Sequence, residues 1–159
     1  MTIKVGDKLP NVDLMMMTDK GPSKVSTADL FGGKKVALFA VPGAYTPTCS
    51  AKHLPGFIDN TANLNAKGVS DIVCLSVNDP FVMAAWGKDH SAGSIKMVAD
   101  PDAAFTKAMG VEFDASGAGL GVRSRRYSMV VDDGVVSQLN LEETGGFEVS
   151  DAETLLGQL

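Results

Sequence analysis

Val36-Ala37-Leu38-Phe39-Ala40-Val41 is an unbroken apolar run of strand length, and Pro42-Gly43 ends it at a turn. A strand that is apolar at every position, and not only at every second one, is buried on both faces. A second run of this kind is Asp71-Ile72-Val73-Cys74-Leu75-Ser76-Val77, and Ile95-Lys96-Met97-Val98-Ala99 is a shorter third. Between the first two, Leu54, Phe57, Ile58 and Leu64 fit one helical face, with a kink expected at Pro55. Asn78-Asp79-Pro80 predicts a helix start with Pro80 at the first helical position.

Outward from this core, Asp100-Pro101 predicts another helix start and Gly110 its end. Residues 127–131 and 135–141 flank Asp132-Asp133-Gly134, a hairpin signal. Ser150 and Glu153 have the spacing of a capping box before a last helix. At the N-terminus, Val12-Asp13-Leu14-Met15-Met16-Met17 reads as a strand, and Asp19-Lys20-Gly21-Pro22 as the turn of an N-terminal β-hairpin. Helices following buried strands imply an α/β sheet with helices on both faces, and the late hairpin makes that sheet mixed. A thioredoxin-like arrangement fits, in a single domain over residues 1–159.

The composition is that of a globular protein, 45% apolar and 21% charged over 159 residues. A net charge of −5 creates no overall field for nucleic acid or an anionic membrane. The one basic cluster, Arg123, Arg125 and Arg126, is short. No run approaches the roughly 18 to 20 apolar residues of a membrane helix, and residues 1–7 lack a signal peptide's apolar core. A cytoplasmic location is the expectation. Two cysteines, Cys49 and Cys74, do not make a disulfide scaffold, so each is either inert packing or a reactive thiol.

Cys49 follows a buried strand, a Pro-Gly turn and the polar stretch Tyr45-Thr46-Pro47-Thr48, and is expected near a helix start. Unpaired N–H groups and the helix dipole favour an anion there, which suits a thiolate nucleophile. On position alone, a buried structural cysteine remains the alternative. Thr46 stands three residues earlier, where a Cys-x-x-Cys pair would have its first thiol, so the frame is kept with a hydroxyl in it. A hydroxyl both donates and accepts, although Thr46 also suits a helix cap.

Pro42-Gly43-Ala44-Tyr45-Thr46-Pro47-Thr48-Cys49 resembles the Pro-x-x-x-Thr/Ser-x-x-Cys signature of peroxiredoxins. The continuation Ser50-Ala51-Lys52-His53-Leu54-Pro55-Gly56-Phe57 is similar to the type II group, which includes peroxiredoxin five. So are Ser76-Val77-Asn78-Asp79-Pro80-Phe81-Val82-Met83 and Arg125-Arg126-Tyr127-Ser128-Met129-Val130-Val131-Asp132-Asp133-Gly134. These blocks stand in family order and span most of the chain.

The resemblance implies a thiol peroxidase that reduces hydrogen peroxide or small alkyl hydroperoxides, with antioxidant function and no metal, flavin or haem. Cys49 would be the peroxidatic cysteine, Thr46 would hydrogen-bond the peroxide, and Pro42 would shield the thiolate. Arg126 would stabilise developing charge, and only the resemblance separates it from Arg123 and Arg125. Glutathione with glutaredoxin, or thioredoxin, would return Cys49 to its reduced form, and a homodimer is implied. Cys74 lies mid-strand among apolar residues and reads as inert. The resemblance adds a resolving role as the alternative for it, because type II members of plants and bacteria can carry a cysteine at this position; animal forms place theirs near the C-terminus, and the region 144–150 has none.

His53, four residues after Cys49, invites a Cys/His protease reading, but no oxyanion motif accompanies it. Gly117-Ala118-Gly119-Leu120-Gly121 reads as a flexible loop, since it lacks a phosphate loop's Lys-Ser/Thr ending. The competing functions are a dithiol oxidoreductase, which Thr46 speaks against, and a non-catalytic redox sensor.

Overall fold

The structure, a computed structural model, describes residues 2–159. The expected hairpin opens the chain as β1 (Asp13–Thr18) and β2 (Gly21–Ser26), followed by a short helix α1 (Thr27–Phe31) that the sequence pattern did not reveal. Next come β3 (Lys35–Ala40), a π-helical turn (Cys49–His53), α2 (Leu54–Asp59), α3 (Thr61–Ala66), β4 (Asp71–Ser76), α4 (Pro80–Asp89), β5 (Lys96–Ala99) and α5 (Ala104–Ala108). Two three-residue strands, β6 (Glu112–Asp114) and β7 (Val122–Ser124), enclose a 3-10 turn at Ser116–Ala118. The chain ends with the hairpin β8 (Tyr127–Asp132) and β9 (Val135–Leu141), then α6 (Ala152–Gly157).

Seven strands form one mixed sheet in the order β2-β1-β5-β4-β3-β8-β9, and β6 and β7 pair apart from it. The apolar runs occupy its centre. β4 pairs parallel with both β3 and β5, while β8 runs antiparallel to β3. Alternate residues of β3 face opposite cores, as a doubly buried strand requires. Ala37 and Phe39 join Leu54, Phe57, Leu64 and Trp86 from α2, α3 and α4. Val36, Leu38 and Ala40 join Leu30, Phe31 and Phe105 from α1 and α5, and Met109 just after α5. Truncating a side chain such as Phe39 to alanine would cost about 3–5 kcal/mol.

Three helix boundaries depart from the sequence expectations. Pro55 has no N–H to return to Ala51, and in a regular helix its ring would strike that carbonyl. The chain widens just upstream instead, with Leu54 N–H bonding back five residues to Cys49 O, so the expected kink takes the form of a π-turn. α5 begins at Ala104 and not at Pro101, because the Asp100 carboxylate reaches past Ala103 (φ 58°) to accept from Phe105 N and Thr106 N. α6 is capped by Asp151, whose side chain accepts from Thr154 N. Ser150, the expected cap, donates its hydroxyl to Glu142 at 2.6 Å.

Candidate active site

The site forms where β3 ends. Thr46 closes a tight turn with Gly43 and precedes helical backbone beginning at Pro47. Its carbonyl accepts from Ser50 N at 3.0 Å. Proline at the first helical position removes an N–H that would have no partner there. Cys49 therefore lies in the first helical turn, and its side chain is completely buried. The turn before it is held from α4's side of the sheet. Asn78 Oδ1 accepts from Ala44 N at 3.0 Å and from Ser76 Oγ at 2.6 Å.

Two groups meet the Cys49 sulfur. Thr46 Oγ1 lies 2.8 Å from Sγ and 2.7 Å from Gly43 O, and its one proton serves only one of them at a time. Arg126, at the β7–β8 junction, donates Nη2–H to Sγ at 3.0 Å. Of the three arginines in the basic cluster, Arg126 is the one whose guanidinium touches the thiol. Arg123 donates Nη1–H to Pro42 O at 3.0 Å and Nε–H to Leu120 O at 2.9 Å, tying the turn after β3 to the β6–β7 loop. Arg125 donates Nη2–H to Glu142 O at 2.7 Å.

His53 is not placed to act as a base toward Cys49. Its Nδ1 lies 2.8 Å from Arg126 Nη1, and its Nε2 lies 3.0 Å from Ser150 O. An arginine only donates, so Nδ1 must accept and the proton must lie on Nε2. Burial, reinforced by the Arg126 charge, pushes the His53 pKa down from 6.5 to about 3. The histidine is a neutral strut that fixes the Arg126 fork, and the Phe147 ring covers the guanidinium at 5.7 Å.

The far end of this chain of contacts is Glu142, which the sequence did not single out. Its carboxylate is buried and accepts from the backbone N–H groups of Glu148, Val149 and Ser150 and from Ser150 Oγ. Burial alone would raise its pKa, but these four donors outweigh that and hold it below the usual carboxylate range. Glu142 thus locks the segment that presents Ser150 O to His53. A lone glutamate whose partners are backbone groups six to eight residues later carries no sequence signal.

A pocket of about 230 Å³ is lined by Thr46 and Arg126, the two residues that contact the sulfur, and by Pro42 and the Thr144-Gly145-Gly146 segment, with Phe113 and Leu120 as an apolar wall. The glycine-rich loop that read as merely flexible contributes Leu120 to this wall. Cys74 is elsewhere. It is fully buried in the middle of β4, opposite Phe39 on one side and Met97 on the other. Burial, with the nearby Cys49, pushes its pKa well up, as expected of an inert thiol. The site can therefore hold a small polar molecule against Thr46 and Arg126, the hydroxyl and the fixed cation that the sulfur receives.

A family model described as Redoxin matches residues 4–156. Peroxiredoxin-2E-2, chloroplastic, of Oryza sativa subsp. japonica is 52% identical over 164 residues, covering 99% of this chain and 73% of its own length. Peroxiredoxin-2B of Arabidopsis thaliana is 46% identical over 159 residues, covering 99% of this chain and 98% of its own. A crystal structure of reduced Prx3 from Vibrio vulnificus in complex with H2O2 superposes with a TM-score of 0.96 at 53% identity, covering 99% of each chain.

Proposed function

The chain belongs to the peroxiredoxin family, type II, and is a thiol-dependent peroxidase; from that premise we propose that Cys49 is its peroxidatic cysteine, with Thr46, Arg126 and Pro42 completing the peroxide site. The observation that carries this reading is the pair of donors on one buried sulfur, Thr46 Oγ1 at 2.8 Å and Arg126 Nη2 at 3.0 Å.

The chemistry follows from those two contacts. A hydroperoxide entering the pocket presents one oxygen to the Cys49 thiolate. The thiolate forms the S–O bond as the O–O bond breaks, and the electron pair goes to the departing oxygen. Arg126 is charged at any working pH and, already held by His53, meets that developing charge without reorganising. The departing oxygen takes a proton and leaves as water or an alcohol, and Cys49 becomes a sulfenic acid. One external thiol then displaces water to form a mixed disulfide. A second attacks that disulfide and restores Cys49. Pro42 walls the pocket, and its carbonyl is occupied by Arg123, which keeps the turn in place.

Glutathione with glutaredoxin, or thioredoxin, is the proposed source of those thiols, and a reducing compartment such as the cytoplasm suits two free cysteines. Cys74 is assigned no resolving role, because its strand is bonded on both sides. A homodimer is proposed through the face carrying Tyr45 and Phe81, which are 50% and 63% exposed. Phe81, Ala85 and Asp89 share one side of α4, and Tyr45 OH reaches Asp89 along it.

Mass spectrometry after one equivalent of hydrogen peroxide tests the assignment. Oxygen or a glutathione adduct on Cys49, with Cys74 unmodified, is the expected result. A Cys49–Cys74 disulfide would make Cys74 the resolving thiol, and oxidation confined to Cys74 would overturn the reading.

A further inference from the structure

The three arginines, the only ones in the sequence, gather around one pocket in a protein of net charge −5. Among the described residues, none of them forms an ion pair with a carboxylate. The salt bridges found there join Lys4 to Asp7, and Lys34 and Lys96 to Asp71. Arg126 meets a neutral histidine and the Cys49 sulfur, Arg123 meets two carbonyls, and Arg125 meets the carbonyl of Glu142. The Glu142 carboxylate itself faces the other way, satisfied by the donors of residues 148–150. Among the described residues, no Asp or Glu lines the pocket. A single thiolate balances one of these three charges.

Arg125 is the arginine with capacity to spare. It lines the pocket together with Thr144 and Gly145, its Nε is buried without a partner, and Nη2 carries the side chain's one hydrogen bond among the described residues. A half-buried guanidinium that lines a cleft without a counter-charge, with one of its N–H groups unpartnered, matches the planar two-oxygen geometry of a carboxylate. We propose that Arg125 binds a carboxylate on the molecule reacting at Cys49, so that the pocket favours acidic co-substrates over neutral ones of the same reactivity. The carboxylate can belong to an organic hydroperoxide, whose chain would lie along Phe113 and Leu120, or to a small thiol reductant. This inference rests on the peroxidase reading of the pocket, which turnover of neutral co-substrates by the wild-type protein tests separately.

Two half-reactions distinguish the sources. In the oxidative one, the reduced protein is mixed with linoleic acid hydroperoxide or with its methyl ester. In the reductive one, protein oxidised by one equivalent of hydrogen peroxide is mixed with 3-mercaptopropionate or with 2-mercaptoethanol. The readout is the ratio of second-order rate constants, acid over neutral, for wild type, Arg125→Gln and Arg125→Lys. That ratio should fall about tenfold in Arg125→Gln, the loss expected for a charge-assisted hydrogen bond, and Arg125→Lys should recover part of it. The arm that responds names the source. Because each ratio is taken within one variant, a general loss of activity or partial unfolding cancels. A fall below about threefold in both arms would overturn the proposal, and a larger fall in either supports it.

Discussion

Acidification from pH 7 to pH 5 should destabilise this protein through His53. In the native state the ring is buried and neutral, with a pKa pushed from 6.5 to about 3 by burial first and by Arg126 second. In the unfolded chain it titrates near its ordinary value of about 6.5. The unfolded state therefore holds a proton that the native state lacks whenever the pH lies between these values. Its contribution is intact above pH 6.5 and is lost as the pH falls, by about 1.4 kcal/mol for each unit down to the native pKa. Moving from pH 7 to pH 5 should thus cost about 2 kcal/mol from this group alone. His53→Gln supplies an acceptor for Arg126 and a donor for Ser150 O without titrating. Urea unfolding of both proteins at pH 7 and pH 5 isolates the effect, since every other titrating group contributes to both. Wild type should lose about 2 kcal/mol more than the variant over that interval. Equal losses would refute a buried neutral histidine, and a larger loss in the variant would mean that His53 is charged in the native state.

Thr46→Val preserves shape but removes the hydroxyl at the sulfur. Stopped-flow oxidation by hydrogen peroxide should slow about 10²-fold, the usual effect of deleting one preorganised donor, with Thr46→Ser retaining most of the rate. Glu142→Gln turns an amide N–H toward groups that are all donors, so thermal unfolding should show a loss of about 1.5–3 kcal/mol. Its peroxidase rate should drop as well, because the Ser150 carbonyl loosens beneath His53. Phe81→Arg places a charge on the proposed dimer face, and sedimentation should show dissociation with the circular dichroism unaltered.

The central sheet was legible because β3 and β4 are apolar at consecutive positions, which only a doubly covered strand tolerates. The late hairpin was legible because Asp133 and Gly134 occupy the left-handed region, at φ 48° and 78°, as a two-residue hairpin loop demands. The strands β6 and β7 were not, since three residues each are too few to show a period. α6 was misplaced by one residue because Ser150, a competent cap by local rules, is drawn to a carboxylate eight residues earlier. The sulfur's own surroundings divided in the same way. Thr46 stands three residues from Cys49 and is visible in a motif, whereas Arg126 is 77 residues away and only a family resemblance chose it from three. The role of His53 could not be read at all, because it depends on that same distant arginine and on a backbone carbonyl 97 residues along the chain.

The π-turn at Cys49–His53 amounts to one residue more than a regular helix would use over the same span. A helix advances about 100° per residue, so the extra residue sets the azimuth of everything upstream relative to everything downstream. Deleting Ser50 or Ala51 and letting the segment relax to an α-helix would keep Leu54 and Phe57 in the core. Cys49 would then swing about 100° away from Arg126, although no residue touching the sulfur had been changed. The spacing between Cys49 and Pro55 is therefore as much a part of the proposed peroxide site as the side chains in it, and a chain that kept every motif residue but lost one letter between them would be expected to fold without a working thiol.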